Sequence, residues 1–133
     1  MKTWIKITLI GFLILVLTTT IFVVIFIKEG QEVGSFDVLD PVYQELIEEF
    51  PYDAQFSKVE NRNDAVQIAD VVLKEKFPQI DFFEFYPYDV DYDKINDCWL
   101  VVGRQPLCDN VKRAEPYVII SGSGSVLAVL MWG

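Results

Sequence analysis

The sequence predicts an α+β fold: two helices packed on a four-stranded antiparallel sheet, preceded by one transmembrane helix. Three observations carry this expectation. An uncharged run of 21 residues, Ile7–Ile27, lies near the N-terminus. Apolar residues then recur with a helical period in two segments, 40–50 and 61–77, each ended by a proline. After Pro78 the period changes to two, and turn residues divide the remaining chain into four strand-like stretches. Helices first and strands afterwards, joined by short connections, give a helix layer on an antiparallel meander.

Lys6 and Lys28 bracket the apolar run. As a helix it would measure about 31 Å, close to the hydrocarbon thickness of a bilayer. Thr8, Thr18, Thr19 and Thr20 are its polar members, and a helix lets their hydroxyls bond to carbonyls one turn back. A cleaved signal peptide has a shorter apolar core followed by small residues, whereas here Ile21–Ile27 resumes the apolar run after the threonines. No Cys follows the segment closely, which argues against a lipidated lipoprotein. A core helix is the remaining reading, but a chain of 133 residues cannot surround a helix that is apolar on all sides. The expectation is therefore a retained anchor at 7–27. Lys2 and Lys6 precede it and Lys28 alone follows closely, beside Glu29 and Glu32. The positive-inside rule then places residues 1–6 in the cytoplasm and the rest in the periplasm or outside the cell. Residues 28–39, with Gly30, Gly34 and Ser35 and no period, read as a linker to an acidic domain at 40–133.

Asp40-Pro41 is a helix-start signal, with Asp as N-cap and Pro at the first helical position. Val42, Leu46 and Phe50 line one face with Tyr43 and Ile47 beside them, and Pro51 stops the helix. Asn61 or Asn63 caps the second helix, in which Ala65, Ile68, Ala69, Val72, Leu73 and Phe77 form the apolar stripe. Ala65 and Ala69 are small enough to let another element approach closely. Lys74 and Lys76 complement the dipole at its end, and Pro78 closes it. In the first strand Tyr86, Tyr88, Val90 and Tyr92 alternate with Pro87, Asp89, Asp91 and Asp93, giving one aromatic and one acidic face. Lys94–Asp97 is a turn, Cys98–Val102 a near-continuous apolar strand closed by Gly103, and 104–115 a polar loop. Tyr117–Ile120, the turn Ser121–Gly124 and Val126–Trp132 complete the sheet.

Charge narrows the function. The net charge is −9, yet residues 1–28 carry three Lys and no acid, so residues 29–133 hold all 20 acids against 8 bases, 8 − 20 = −12. Nucleic-acid binding needs clustered Lys and Arg, so it is excluded. There is no His, which removes Ser-His-Asp and Cys-His catalysis and His-based zinc sites. Asp89, Asp91 and Asp93 resemble the start of a calcium-binding EF loop, but Lys94 and Leu100 stand where the loop needs Gly and Glu, so no metal is expected. These acids are either a solvated strand face or, extended by Glu84, a contact stripe for a basic partner. Cys98 and Cys108 are the only cysteines. Two ligands are too few for structural zinc. In an oxidising compartment they can pair as a disulfide, while Cys98 in a strand also suits a buried small side chain. The aromatics Phe82, Phe83, Phe85, Tyr86, Tyr88, Tyr92 and Trp99 suit a core, with some free to line a cleft. A Tyr beside an Asp in such a cleft can transfer protons, though no pair is singled out.

From Asn61 to Val129 the order of motifs is more specific. The helix D-A-V-Q-I-A-D-V-V-L-K-E-K-F at 64–77 is followed by Y-P-Y-D-V-D-Y at 86–92 and C-W-L-V-V-G-R-Q-P at 98–106. P-Y-V-I-I-S-G-S-G-S-V-L-A-V at 116–129 then supplies a strand, a Gly turn and a last strand. This half of the chain resembles immunity proteins with a nuclear transport factor two-like fold, found beside bacterial polymorphic toxins. Arg113, Ala114 and Glu115 stand where that family often has Gly. The resemblance implies a cone-shaped helix-on-sheet domain that binds and neutralises a cognate toxin, with no catalysis, no cofactor and no fixed toxin-contacting motif. An acidic domain suits a basic toxin, and a membrane tether suits interception. The alternative is a membrane-anchored binding module of cystatin-like or peptidase-propeptide-like form. A small enzyme on the same fold would need a deep pocket holding an Asp or Tyr with a shifted pKa.

Overall fold

The computed structural model describes residues 6, 8–16, 32–104 and 114–133. The chain divides into two compact units, one ending at Glu32 and one spanning Val33–Gly133. In the first, residues 8–16 are helical. Among the described residues no helix is long and apolar enough to cross a membrane, and most of the expected span 7–27 lies outside them.

The second unit is α+β, and its elements are those that local chemistry favours. Helix α1, Pro41–Glu49, starts where Asp40 Oδ1 accepts the Val42 N–H at 3.0 Å and Pro41 occupies the first turn. Helix α2, Arg62–Lys76, is capped by Asn61, whose Oδ1 accepts the Asp64 N–H at 2.9 Å. Asp64 returns the favour through its carboxylate, which accepts the Glu60 N–H at 3.0 Å, so both sides of the cap are satisfied. A short 3-10 helix, Phe82–Phe85, follows, and the chain then enters the expected meander. Its strands, numbered from the first in the sheet, are β3 Asp89–Asp93, β4 Cys98–Val102, β5 Glu115–Ser121 and β6 Ser125–Trp132.

The meander is the middle of a larger sheet. Two further strands, β1 Val33–Ser35 and β2 Pro51–Gln55, flank it in the order β1-β3-β4-β5-β6-β2. β1 runs parallel to β3 and the other pairs are antiparallel, so the sheet has six strands and is mixed rather than four-stranded and antiparallel. The linker expected at 28–39 is therefore strand from Val33, and buried at Val38. Both added strands are edges. β1 is three residues long and exposed throughout, too short to show a period. β2 opens on Pro51, which is tolerated at an edge because it has no N–H to offer a neighbouring strand. The first strand of the meander also starts later than Tyr86, because residues 82–85 coil and Asp81 Oδ1 caps that coil through the Phe83 N–H.

Helices cover both faces. α2 and the 3-10 helix bury Ala65, Ala69, Val72, Leu73, Phe82 and Phe85 against Val90, Trp99, Val101, Val118 and Ile120. α1 packs on the opposite face, where Leu46 and Val38 meet Cys98, Leu100, Val102, Ile119 and Leu130. All five residues of β4 are consequently buried. In β6 a register shift around Leu127 inserts one residue, so Val126 and Val129 both face α2 while Ala128 and Leu130 face α1. Cys98 lies on the α1 face with a free thiol that donates to the Asn96 carbonyl at 3.5 Å. Burial, then the charges of Asp93 and Asp97, push that thiol up to about 11. Cys108 lies outside the described residues, and so does the disulfide expected of it.

Asp93 corrects the expectation of a solvated acidic stripe. It shares a strand face with Asp89 and Asp91 but is only 3% exposed. Its Oδ2 accepts the Val38 N–H at 2.9 Å and the Asn96 side-chain amide at 2.8 Å. Its Oδ1 accepts the N–H groups of Ile95 at 3.0 Å and Asn96 at 3.1 Å. One carboxylate thus shapes the 94–97 turn and pins the segment that leads from β1 to α1. Burial pushes its pKa up, but hydrogen bonds from the Asn96 side chain and from the Val38, Asn96 and Ile95 backbone outweigh that, and the net shift is downward.

Two stability outcomes follow. Trp99 is 6% exposed and stacks on Tyr92 with ring centroids 4.4 Å apart, so Trp99→Ala should cost about 3–5 kcal/mol in urea unfolding. A loss below about 1 kcal/mol would show that the indole is not a core group. Asp93→Asn should cost about 2–3 kcal/mol at pH 7, because an amide keeps the shape but loses a charged acceptor. A lowered folded pKa gives stability that is complete above the unfolded value near 3.9 and is lost as pH falls through the folded one. The gap between Asp93→Asn and the parent should therefore narrow below about pH 4, and a gap independent of pH would mean the carboxylate is not ionised in the fold.

Candidate functional site

The α1 face of the sheet is longer than the helix that covers it. Nine residues of α1 span about 14 Å, whereas eight residues of β6 span about 27 Å. Among the described residues, the end of the sheet where β3 begins and β4 ends lies beyond α1 and carries a cleft of about 340 Å³. Strand alternation determines its lining. Val90 points to α2, so Asp89 and Asp91 point the other way. Register then sets Asp89 beside Val102 and Val102 beside Tyr117, with Asp91 beside Leu100. Leu100 and Val102 form the apolar floor, Tyr43 of α1 and Tyr117 of β5 the walls, and Arg104 and Glu115 the rim.

β1 closes the side behind Asp91. Gly34 is its register partner, and a Cβ on Gly34 would collide with Asp91 Oδ1. A side chain at this position would displace the Asp91 carboxylate from where it lies. The carboxyl group is correspondingly raised, first by burial and then by the charge of Asp89, with Arg104 opposing. Asp89 itself is exposed and ion-paired with Arg104 Nε. Tyr43 is raised by burial and then by Asp91 and Asp40. Tyr117 is raised by burial, Glu115 and Tyr43, again with Arg104 opposing. Both phenols therefore hold their protons at neutral pH and serve as hydrogen-bond donors and ring faces rather than as bases.

Among the described residues, Asp89, Asp91, Glu115 and Arg104 are the charged groups that line the cleft, and Arg104 is paired with Asp89. Tyr43 packs edge-on against Phe36 with centroids 5.3 Å apart, and Tyr117 packs against Trp132 at 5.2 Å, so both walls are held in place by a second ring. Trp132 is 44% exposed and extends the Tyr117 wall outward. Among the described residues no three carboxylate or thiol groups converge as a metal site.

The expected acidic stripe is thus divided. Asp89 and Asp91 meet in the cleft, whereas Asp93 is absorbed by the fold. Glu84 is exposed on the 3-10 helix, which belongs to the α2 layer, so it is not brought to them. Tyr43, Arg104, Glu115 and Tyr117 were missed as site residues. Tyr43 carried a signal, since it sits beside the apolar stripe of α1 at the helix start. Arg104 and Glu115 bound a polar stretch whose ends only strand pairing brings together. The chain matches no protein-family model, and no curated protein or solved structure matches it.

Proposed function

We propose that the chain is a membrane-tethered immunity protein that binds and neutralises a cognate bacterial toxin, with the cleft beside α1 receiving a basic side chain of that toxin. Residues 7–27 act as the anchor in this reading, and the acidic domain stands outside the cytoplasm. The observation that carries it is the pair Asp89 and Asp91 in one cleft with an apolar floor, where Arg104 is ion-paired with Asp89 while burial and the Asp89 charge raise the Asp91 carboxyl. A Lys or Arg from a partner would relieve the repulsion between Asp89 and Asp91 and would pack its stem on Leu100 and Val102. The acid excess of residues 29–133 extends the same attraction over longer range. The motif resemblance over 61–129 supports a toxin as the partner. Tethering adds local concentration where an incoming toxin arrives.

The partner is identified by capture with the full chain from its native host, and it should be a basic protein whose toxic activity the chain blocks. Against that protein, the paired substitution Asp89→Asn and Asp91→Asn should fold normally and slow association by about tenfold or more at low salt. Its association rate should also lose most of its dependence on ionic strength. Dissociation should change less. Association rates and salt slopes equal to those of the parent chain would remove the cleft from the interface.

A further inference from the structure

The same end of the sheet carries a second feature, on the other face. The 3-10 helix leads into β3 through Tyr86, Pro87 and Tyr88, and Tyr88 adjoins Asp89 of the cleft. Three rings form a ladder here. Phe83 and Tyr86 have centroids 6.1 Å apart, and Tyr86 and Tyr88 are 4.5 Å apart. The ladder runs from solvent to core, with Phe83 77% exposed, Tyr86 40% and Tyr88 2%. Tyr88 is thus a fixed base on which Tyr86 rests, while Phe83 turns away from its helix-mates Phe82 and Phe85, which are buried.

Groups of both signs stand beside the ladder: Arg62 of α2 donates to the Tyr88 carbonyl at 2.7 Å. Asp70 of α2 stands behind the ladder, and burial followed by this carboxylate pushes the Tyr86 hydroxyl up to about 12. Asp70 Oδ1 and the Tyr88 hydroxyl are buried without a partner at hydrogen-bonding geometry. The rings therefore present neutral, electron-rich faces, on a domain whose residues 29–133 carry an acid excess that attracts a basic partner. Aromatic anchors of this kind are what protein interfaces are enriched in, and their faces favour a guanidinium over an ammonium.

We propose that Phe83 and Tyr86 form a second contact for the basic partner and hold an arginine side chain by stacking, so that the partner straddles the start of β3. This rests on the reading of the partner as a basic protein. The cleft supplies charge, which attracts Lys and Arg alike, and the ladder supplies selection between them.

The test uses the full chain in detergent micelles with fluorescein-labelled hexa-arginine and hexa-lysine peptides, read by anisotropy at matched ionic strength. Hexa-arginine should bind tighter by about threefold. Replacing both rings, Phe83→Leu with Tyr86→Leu, keeps apolar volume but removes the π faces, and should bring the two affinities together with little change for hexa-lysine. Phe83→Leu alone, at so exposed a position, should narrow the ratio without risk to the fold. The paired Asp89→Asn and Asp91→Asn variant should weaken both peptides and leave their ratio intact. Equal affinities in the parent chain, or a ratio that survives the leucine variants, would overturn the proposal. A ratio abolished by leucine alongside unchanged affinities in the asparagine pair would uphold the ladder and overturn the cleft.

Discussion

A strand with apolar side chains on both faces has to be covered twice. β4, with Cys98, Leu100 and Val102 on one face and Trp99 and Val101 on the other, sets that requirement at the centre of this sheet. β5 shares it through Ile119 on one side and Val118 and Ile120 on the other, all fully buried. A single helix layer would leave one of these faces in water, at a cost of about 25 cal/mol for each Å² of apolar surface. The positions of α1 and α2 on opposite faces follow from this, and so does the burial of Val38 on the path from β1 to α1. The small side chains of Ala65 and Ala69 let α2 lie close to the sheet, while Tyr43, Ile47 and Phe50 give α1 a bulkier underside.

The site is a by-product of unequal cover. α1 ends at Glu49 after nine residues, so among the described residues the requirement is met over the middle of the sheet and not at the end that holds the cleft. There the floor stays apolar because Leu100 and Val102 belong to the doubly covered strand, but the rim is polar because β3 and β5 contribute Asp89, Asp91 and Glu115. Desolvation without full pairing is what raises Asp91, and the nearby Asp89 adds to it. Such a group gains from a cation more than an exposed carboxylate does, since the interaction is less screened by water. Arg104 answers only part of that demand, because it is ion-paired with Asp89 and is itself exposed.

Much of this was legible before any coordinates. The caps at Asp40 and Asn61, the proline stops and the limits of β4 rest on short-range chemistry, and local sequence expresses such chemistry directly. What was not legible depends on distant partners. Val33–Ser35 is a strand only because β3 offers it a parallel edge, and Gly34, which looks like a linker residue, lies against the carboxylate of Asp91. Alternation correctly put Asp89, Asp91 and Asp93 on one face, but it is silent on how deeply each is buried. That depth is set by Val38, fifty-five residues away along the chain, whose backbone N–H covers Asp93. The other wall and rim of the cleft, Tyr117 and Glu115, sit across two strand pairings from Asp89, beyond what a pattern of period two conveys.

The three aspartates of β3 also divide the work of one strand by depth. Asp93 at the closed end accepts four hydrogen bonds, and any change there acts on the turn and on the route into α1. Asp91 is intermediate, enclosed by β1 yet open to the cleft. Asp89 at the cleft end is exposed and is held by an ion pair of the kind that contributes little to stability. Chemistry that interferes least with folding is therefore concentrated at Asp89, Arg104 and the adjoining rings of Tyr86 and Phe83. These positions can vary while Asp93 and the doubly covered strands keep the scaffold fixed, because they lie outside the hydrogen bonds of Asp93 and the packing of β4 and β5.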